Sequence, residues 1–283
     1  MGNEKVTIGL VQTSVSHDLG KNLDKTSKFI SLAASKGASI VCLQELFASQ
    51  YFCQTEDKEI FKTAEKIPGK ITKFLSEQAK SNKITLVGGS IFENDNGNYY
   101  NTSLTFDSNG KMIGKYRKIH IPQDPNYYEQ FYFKSGNLGF VQVQLSDVKI
   151  APLICYDQWY PEAARANALK GAQIIFYPTA IGWTGTMRKQ EPFSAQRWED
   201  VMRAHASMNG IFVAAANRVG KEGSMEFWGG SFIADPFGQI VAKASSSKEE
   251  SLVAEIDLSK ITDSQEGWRF LRNRKPKSYK DLV

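Results

Sequence analysis

Cys155 closes the apolar run Ile150-Ala151-Pro152-Leu153-Ile154 and is followed by Tyr156-Asp157-Gln158-Trp159-Tyr160 and then Pro161. A thiol at a strand end, just before a turn into a helix, sits at the edge of a sheet, where the next backbone N–H groups can face a bound oxygen. The positive end of that helix favours the thiolate, which is the attacking form. The competing reading is a small buried side chain, a common fate of cysteine. Glu45 closes a second apolar run, Ile40-Val41-Cys42-Leu43-Gln44. A carboxylate there lies at the carboxyl edge of a sheet, where open α/β sheets place their ligands; the alternative is a solvated loop residue. Lys118 follows Gly114-Lys115-Tyr116-Arg117, and among so many cations its position alone decides nothing. His120, two residues further on, would share a strand face with Lys118 and leaves a Cys–His pair open.

These side chains need a frame. Residues 5–12 read as a strand, 21–36 as a helix ended by Gly37, and 39–43 as an apolar strand with both faces covered, which together make a βαβ unit. A helix over 69–82 and a strand over 83–93 follow. The turns Asp95-Asn96-Gly97-Asn98 and Asp107-Ser108-Asn109-Gly110 bracket 99–106, so three antiparallel strands end near Lys118. Residues 119–139 have no clean period and read as a long ordered loop, usually a functional feature. Strands follow at 140–145 and 148–154, then a helix from Pro161 to before Gly171 and a strand at 173–177. Residues 178–192 form a second long loop, and 194–209 a helix stopped by Gly210. Strands at 211–216 and 227–234, the turn Asp235-Pro236-Phe237-Gly238, a strand from 239 and another at 252–256 complete the pattern. No linker divides the chain, so residues 1–260 are read as one domain of two packed sheets with helices outside. The polar tail 261–283 is expected to leave that core.

Composition narrows the class. The chain has 283 residues, 41% hydrophobic and 23% charged, as an ordinary globular protein has. No run approaches the roughly 20 apolar residues that span a bilayer, and no membrane partner is expected. The start Met1-Gly2-Asn3-Glu4-Lys5-Val6 lacks a secretory pattern, and Val6 stands where a myristoylation signal needs Ser or Thr. Three cysteines without a paired spacing fit a reducing, cytoplasmic setting. His17, His120 and His205 show no metal-ligand spacing, so neither metal nor organic cofactor is expected. Net charge is +5, and its densest run is Arg272-Asn273-Arg274-Lys275-Pro276-Lys277. One short basic run is read as solvated or packed on a partner subunit, not as a nucleic-acid site.

Three segments, taken together, say more than any one. Leu43-Gln44-Glu45-Leu46-Phe47, Tyr116-Arg117-Lys118-Ile119-His120 and Ile154-Cys155-Tyr156-Asp157 resemble, in order, the signature segments of the nitrilase (carbon–nitrogen hydrolase) family. The likeness runs from Gln12 to the turn at 235–238. It implies an α/β fold, a four-layer α-β-β-α sandwich, in dimer-based homo-oligomers. It also implies Cys155 as nucleophile, Glu45 as general base, Lys118 as oxyanion stabiliser and Glu129 as a supporting active-site glutamate.

His120-Ile121-Pro122-Gln123-Asp124-Pro125, Tyr128-Glu129-Gln130-Phe131-Tyr132-Phe133 and the run from Cys155 to Arg165 resemble members that hydrolyse the ureido group of a carbamoylated diamine, N-carbamoylputrescine. The stretch from Gln123 to Tyr128 departs from relatives that often carry glycines. A cationic substrate end needs an acid, and Glu191 is the candidate; Asp157 is read rather as a helix-cap acid. Tyr51, Tyr132, Tyr156 and Trp183 are candidate pocket walls, although aromatic side chains are more often packed core. An anionic ureide, as in a β-ureidopropionase, would instead need an arginine, with Arg188 or Arg197 placed to serve. A non-catalytic scaffold of the same fold is the reading from another class. His205 is read as a core histidine, Cys42 as core and Cys53 as a loop thiol, open to exposure, with nothing nearby to activate it.

Overall fold

The structure is a computed structural model and describes residues 5–282. Strand Lys5–Gln12 runs parallel to Ile40–Cys42, which runs parallel to Thr85–Val87. Glu250–Asp257 returns antiparallel along Lys5–Gln12 over its whole length. On the other side Asn98–Phe106 pairs antiparallel with Thr85–Val87, Ile91–Asp95 and Met112–Arg117. The second sheet repeats the plan. Lys149–Pro152, Ile174–Pro178 and Phe212–Ala216 are its parallel centre, with Val143–Gln144 antiparallel at one edge and Phe232–Ala234 then Ile240–Lys243 at the other.

Alternation along the central strands divides their side chains between two interiors. Ile8, Ile40, Ile150, Ile174 and Phe212 meet between the sheets. Val41 and Leu86 face outward onto Leu23 and Ile30 of helix Leu19–Ser35 and Leu75 of helix Lys70–Asn82. Ala151, Ile175 and Val213 face Ala164 of helix Pro161–Leu169 and Trp198 and Met202 of helix Ser194–Asn209. The expected four layers result, and the strands are apolar on both sides because both sides are covered. Each such aliphatic side chain contributes about 1.5–3 kcal/mol on burial. No helix among the described residues is long and apolar enough to cross a membrane.

The structure departs from the sequence reading at glycine pairs. The strand expected over 83–93 is broken at Gly88-Gly89, because Gly89 has φ +61° and its missing Cβ would lie 2.1 Å from the Gln44 carbonyl oxygen. The strand expected over 227–234 breaks at Gly229-Gly230, both at positive φ. Its first part, Met225–Trp228, instead forms a hairpin with Val219–Glu222, a strand the sequence reading lacked. The loop 119–139 holds a miniature hairpin, Gln123–Asp124 with Tyr127–Tyr128, and a helical turn, Glu129–Tyr132. The loop 178–192 holds helix Gly185–Gln190. Helix Ser259–Trp268 buries Ile261 between the sheets, and Ser264 Oγ donates to the Pro236 carbonyl at 3.0 Å.

Candidate active site

The segments that follow the parallel strands of both sheets meet at one place. Glu45 lies beyond Ile40–Cys42, Cys155 beyond Lys149–Pro152, Thr179 beyond Ile174–Pro178 and Arg218 beyond Phe212–Ala216. The Glu45 N–H donates to the Thr179 carbonyl at 3.4 Å. Arg218 Nη2 donates to the carbonyls of Glu45 at 2.7 Å and Leu46 at 3.0 Å, while Arg218 Nη1 pairs with Glu222 at 2.8 Å. Glu222 in turn accepts the Tyr51 N–H at 2.6 Å. The backbone that carries Glu45 is therefore held from the opposite sheet, with Leu46 at φ 47°.

Lys118 leaves the strand Met112–Arg117 and turns inward, its own N–H donating to the Asn101 carbonyl at 2.9 Å. Its neighbours do not follow: Arg117 pairs with Glu93 at 2.7 Å and covers the Tyr100 ring. Lys118 Nζ lies 2.9 Å from Glu45 Oε1 and 2.6 Å from Glu129 Oε2. Asn101 Nδ2 donates to Glu45 Oε1 at 2.8 Å, and Tyr51 Oη donates to Glu129 Oε1 at 2.7 Å. Lys118, Glu45 and Glu129 are fully buried, and Cys155 is 6% exposed. Glu45 Oε2 is a buried oxygen with no hydrogen-bond partner among the described residues. Cys155 stands at φ 41°, a left-handed backbone uncommon for a side chain with a Cβ, at the turn that follows its strand.

The electrostatics follow from two carboxylates sharing one buried cation. Burial alone would pull the Lys118 ammonium down, but Glu129 and Glu45 hold it well above its ordinary value. Burial, opposed by Lys118 and aided by Glu45, raises Glu129 to about 7. The Cys155 thiol is pushed well above its usual range, first by burial and then by Glu45, against the lowering pull of Lys118. Burial and Glu45 thus outweigh the helix end expected from the sequence to favour the thiolate.

A cavity of about 380 Å³ opens over Cys155 and Glu129, within the range of small-molecule sites. Asp124, Tyr127, Tyr156, Trp159, Glu191 and Trp228 are among its walls. A larger cavity of about 750 Å³ lies on the other side of Tyr51 and Leu46 and is lined by none of Glu45, Lys118 and Cys155.

Of the candidate pocket walls, Tyr156 and Glu191 line the cavity. Tyr132 does not: it is packed among Phe52, Phe61 and Phe92, with its hydroxyl between the Asp57 N–H and the Thr55 carbonyl. Tyr51 is likewise buried, reaching the site only through Glu129. Trp183 lies behind Trp228, ring centroids 4.7 Å apart, and is not in the wall. Glu191 is already paired with Arg197 at 3.0 Å. Asp157 is buried as a turn cap, accepting the Ile154 N–H at 2.9 Å and the Tyr116 hydroxyl at 2.8 Å. His120 Nδ1 faces Asp157 at 2.7 Å and its ring stacks on Tyr160, which ends the Cys–His alternative. His205 is buried with Nε2–H donating to the Gln158 carbonyl, and Cys53 is buried rather than exposed. The sequence reading missed Asn101, Arg218, Tyr127 and Trp228. Only Asn101 carried a signal, as an amide in an otherwise β-prone strand.

Residues 7–266 match the carbon–nitrogen hydrolase family, and the chain belongs to it. It is an amidohydrolase of that kind. Over 99% of its length it is 40% identical to an N-carbamoylputrescine amidase of Solanum lycopersicum, of which the match covers 96%. A citrullinase of Francisella tularensis subsp. tularensis is 36% identical over 100% of this chain and 99% of its own. The crystal structure of a carbon–nitrogen hydrolase from Helicobacter pylori G27 superimposes with a TM-score of 0.94 at 37% identity, covering 99% of this chain and 98% of that one.

Proposed function

We propose that this enzyme hydrolyses N-carbamoylputrescine to putrescine, carbon dioxide and ammonia, a step of polyamine synthesis, with Cys155 as nucleophile, Glu45 as general base, Lys118 as oxyanion stabiliser and Glu129 as their support. The observation that carries the chemistry is the buried cluster of Glu45, Lys118 and Glu129 beside the Cys155 thiol, with Cys155 and Glu129 lining one small cavity. The near full-length likeness to plant N-carbamoylputrescine amidases points to the substrate.

Glu45 Oε2 takes the thiol proton as Cys155 Sγ attacks the ureido carbon. The carbonyl oxygen becomes an oxyanion, and the Lys118 ammonium stabilises it more than it does the ground state. Ammonia leaves with the proton held by Glu45, and a carbamoyl thioester remains. Water, losing its proton to Glu45, attacks that carbon and restores the thiol. The released carbamate loses carbon dioxide to give the free amine.

A panel of ureides tests this reading. Ammonia release is expected fastest from N-carbamoylputrescine, slower from citrulline and slowest from N-carbamoyl-β-alanine. The anionic compound is disfavoured because Arg188 is paired with Glu226 and Arg197 with Glu191. Turnover rises with pH through about 7, where Glu129 gains the charge that orients Lys118. Preference for the anionic ureide would overturn the substrate assignment.

The enzyme is further read as a cytoplasmic, dimer-based homo-oligomer. Its three buried free cysteines support a reducing setting. The C-terminal tail that follows residue 260 is read as packing on a second copy. Trp268 and Phe270, exposed yet stacked on each other at 5.6 Å, support that contact. Sedimentation of the full chain is expected to give a dimer or a multiple of it; a monomer at micromolar concentration overturns this.

A further inference from the structure

Three acidic side chains other than Glu45 face or approach the substrate cavity, and two of them are already engaged. Glu129 is spent on Lys118 and the Tyr51 hydroxyl. Glu191 accepts from Arg197 Nη2 at 3.0 Å and from Ser194 Oγ at 3.3 Å, so its charge is matched by a cation that lines the same cavity. Asp124 is different. Its carboxylate lines the cavity and makes no ion pair or side-chain hydrogen bond among the described residues. It stands on the hairpin Gln123–Asp124 with Tyr127–Tyr128, which is pinned over the cavity by the Tyr127 hydroxyl donating to the Gly182 carbonyl at 3.0 Å. Its charge also reaches the Tyr156 hydroxyl, which burial and Tyr160 push up to about 12.

We infer that Asp124 is the residue that selects a cationic substrate end: with the ureido carbon at Cys155, the distal ammonium of a carbamoylated diamine docks on the Asp124 carboxylate at the cavity mouth. The assignment rests on the reaction proposed above and replaces Glu191 in that role. The aromatic walls Tyr127, Tyr156, Trp159 and Trp228 fit the methylene chain between the two polar ends. An uncompensated carboxylate at the mouth repels the carboxylate of an anionic ureide, so the same group attracts one class and excludes another.

The test compares two ureides of equal length, N-carbamoylputrescine and N-pentylurea, in which a methyl group replaces the ammonium. The wild-type enzyme is expected to prefer the charged compound. In Asp124→Asn the ratio of kcat/KM for the two falls about tenfold, chiefly through KM for the charged compound, the scale of one charge-assisted contact open to solvent. Asp124→Glu restores part of the preference, which a merely structural role for the hairpin would not predict. Raising ionic strength compresses the wild-type ratio and leaves that of Asp124→Asn flat. Because a ratio cancels the amount of folded enzyme, partial misfolding does not blur the outcome. An unchanged ratio in Asp124→Asn overturns the assignment and leaves the hydrolase reading intact. A wild-type enzyme that cleaves both ureides equally also overturns it, and one that cleaves neither overturns the reaction with it.

Discussion

Replacing Cys155 with alanine lowers the rate of ammonia release by about 10⁴-fold or more, while the protein keeps its fold and still binds its substrate. In the proposed reaction the sulfur forms the bond that divides one hard displacement into two easier ones, and Cys155 is the only thiol among the described residues that line the cavity. The change removes a single buried atom, at a cost of about 1–2 kcal/mol. Thermal unfolding therefore moves by only a few degrees, and Trp159 and Trp228 in the cavity wall offer a fluorescence signal for binding. Serine does little better than alanine, because its hydroxyl is a far weaker acid than a thiol. Turnover by Cys155→Ala within tenfold of wild type would remove this residue from the reaction.

Glu45→Gln lowers turnover by about 10³-fold, the usual scale for losing a general base. The amide keeps an oxygen where Asn101 Nδ2 and Lys118 Nζ donate, so the packing survives. It loses the unpartnered oxygen that receives the proton in the proposed reaction. The same substitution changes the thiol in the opposite sense. Glu45 raises the Cys155 pKa and Lys118 lowers it, so removing the carboxylate lets the thiol ionise at lower pH. The midpoint of iodoacetamide labelling at Cys155 therefore moves down while catalysis falls. A more reactive thiol in a nearly dead enzyme separates proton transfer from nucleophilicity. Near-normal turnover in Glu45→Gln would sink the assignment of the base.

The sheets were legible because their strands obey a simple rule. Runs such as 39–43 and 173–177 are apolar at every position, as strands covered on both faces must be, and helix 194–209 carries its stop at Gly210. What failed were continuations through glycine pairs. Gly88-Gly89 and Gly229-Gly230 look like weak strand positions, and nothing local reveals that Gly89 must clear the Gln44 carbonyl from a distant segment. At the site, Glu45 and Cys155 were visible because each ends an apolar run. Lys118 was separable from Lys115 and Arg117 only through the family likeness, since all three are cations on one short stretch and their partners lie far off in sequence. Asn101 and Arg218 act through contacts across dozens of residues or more, which no local pattern encodes. The aromatic residues divided the same way: Tyr132 and Tyr156 are alike in sequence, and burial alone tells wall from core.

The hairpin at Gln123–Tyr128 belongs to neither large sheet and is fastened by few bonds, whereas Glu45, Lys118 and Cys155 are anchored to the sheets. A lineage can therefore lengthen, shorten or recharge that flap without disturbing the reacting groups. Divergence in diet, so to speak, is cheap in this architecture, and divergence in chemistry is not. New specificities in such a scaffold should arise first by insertion and charge exchange at the rim.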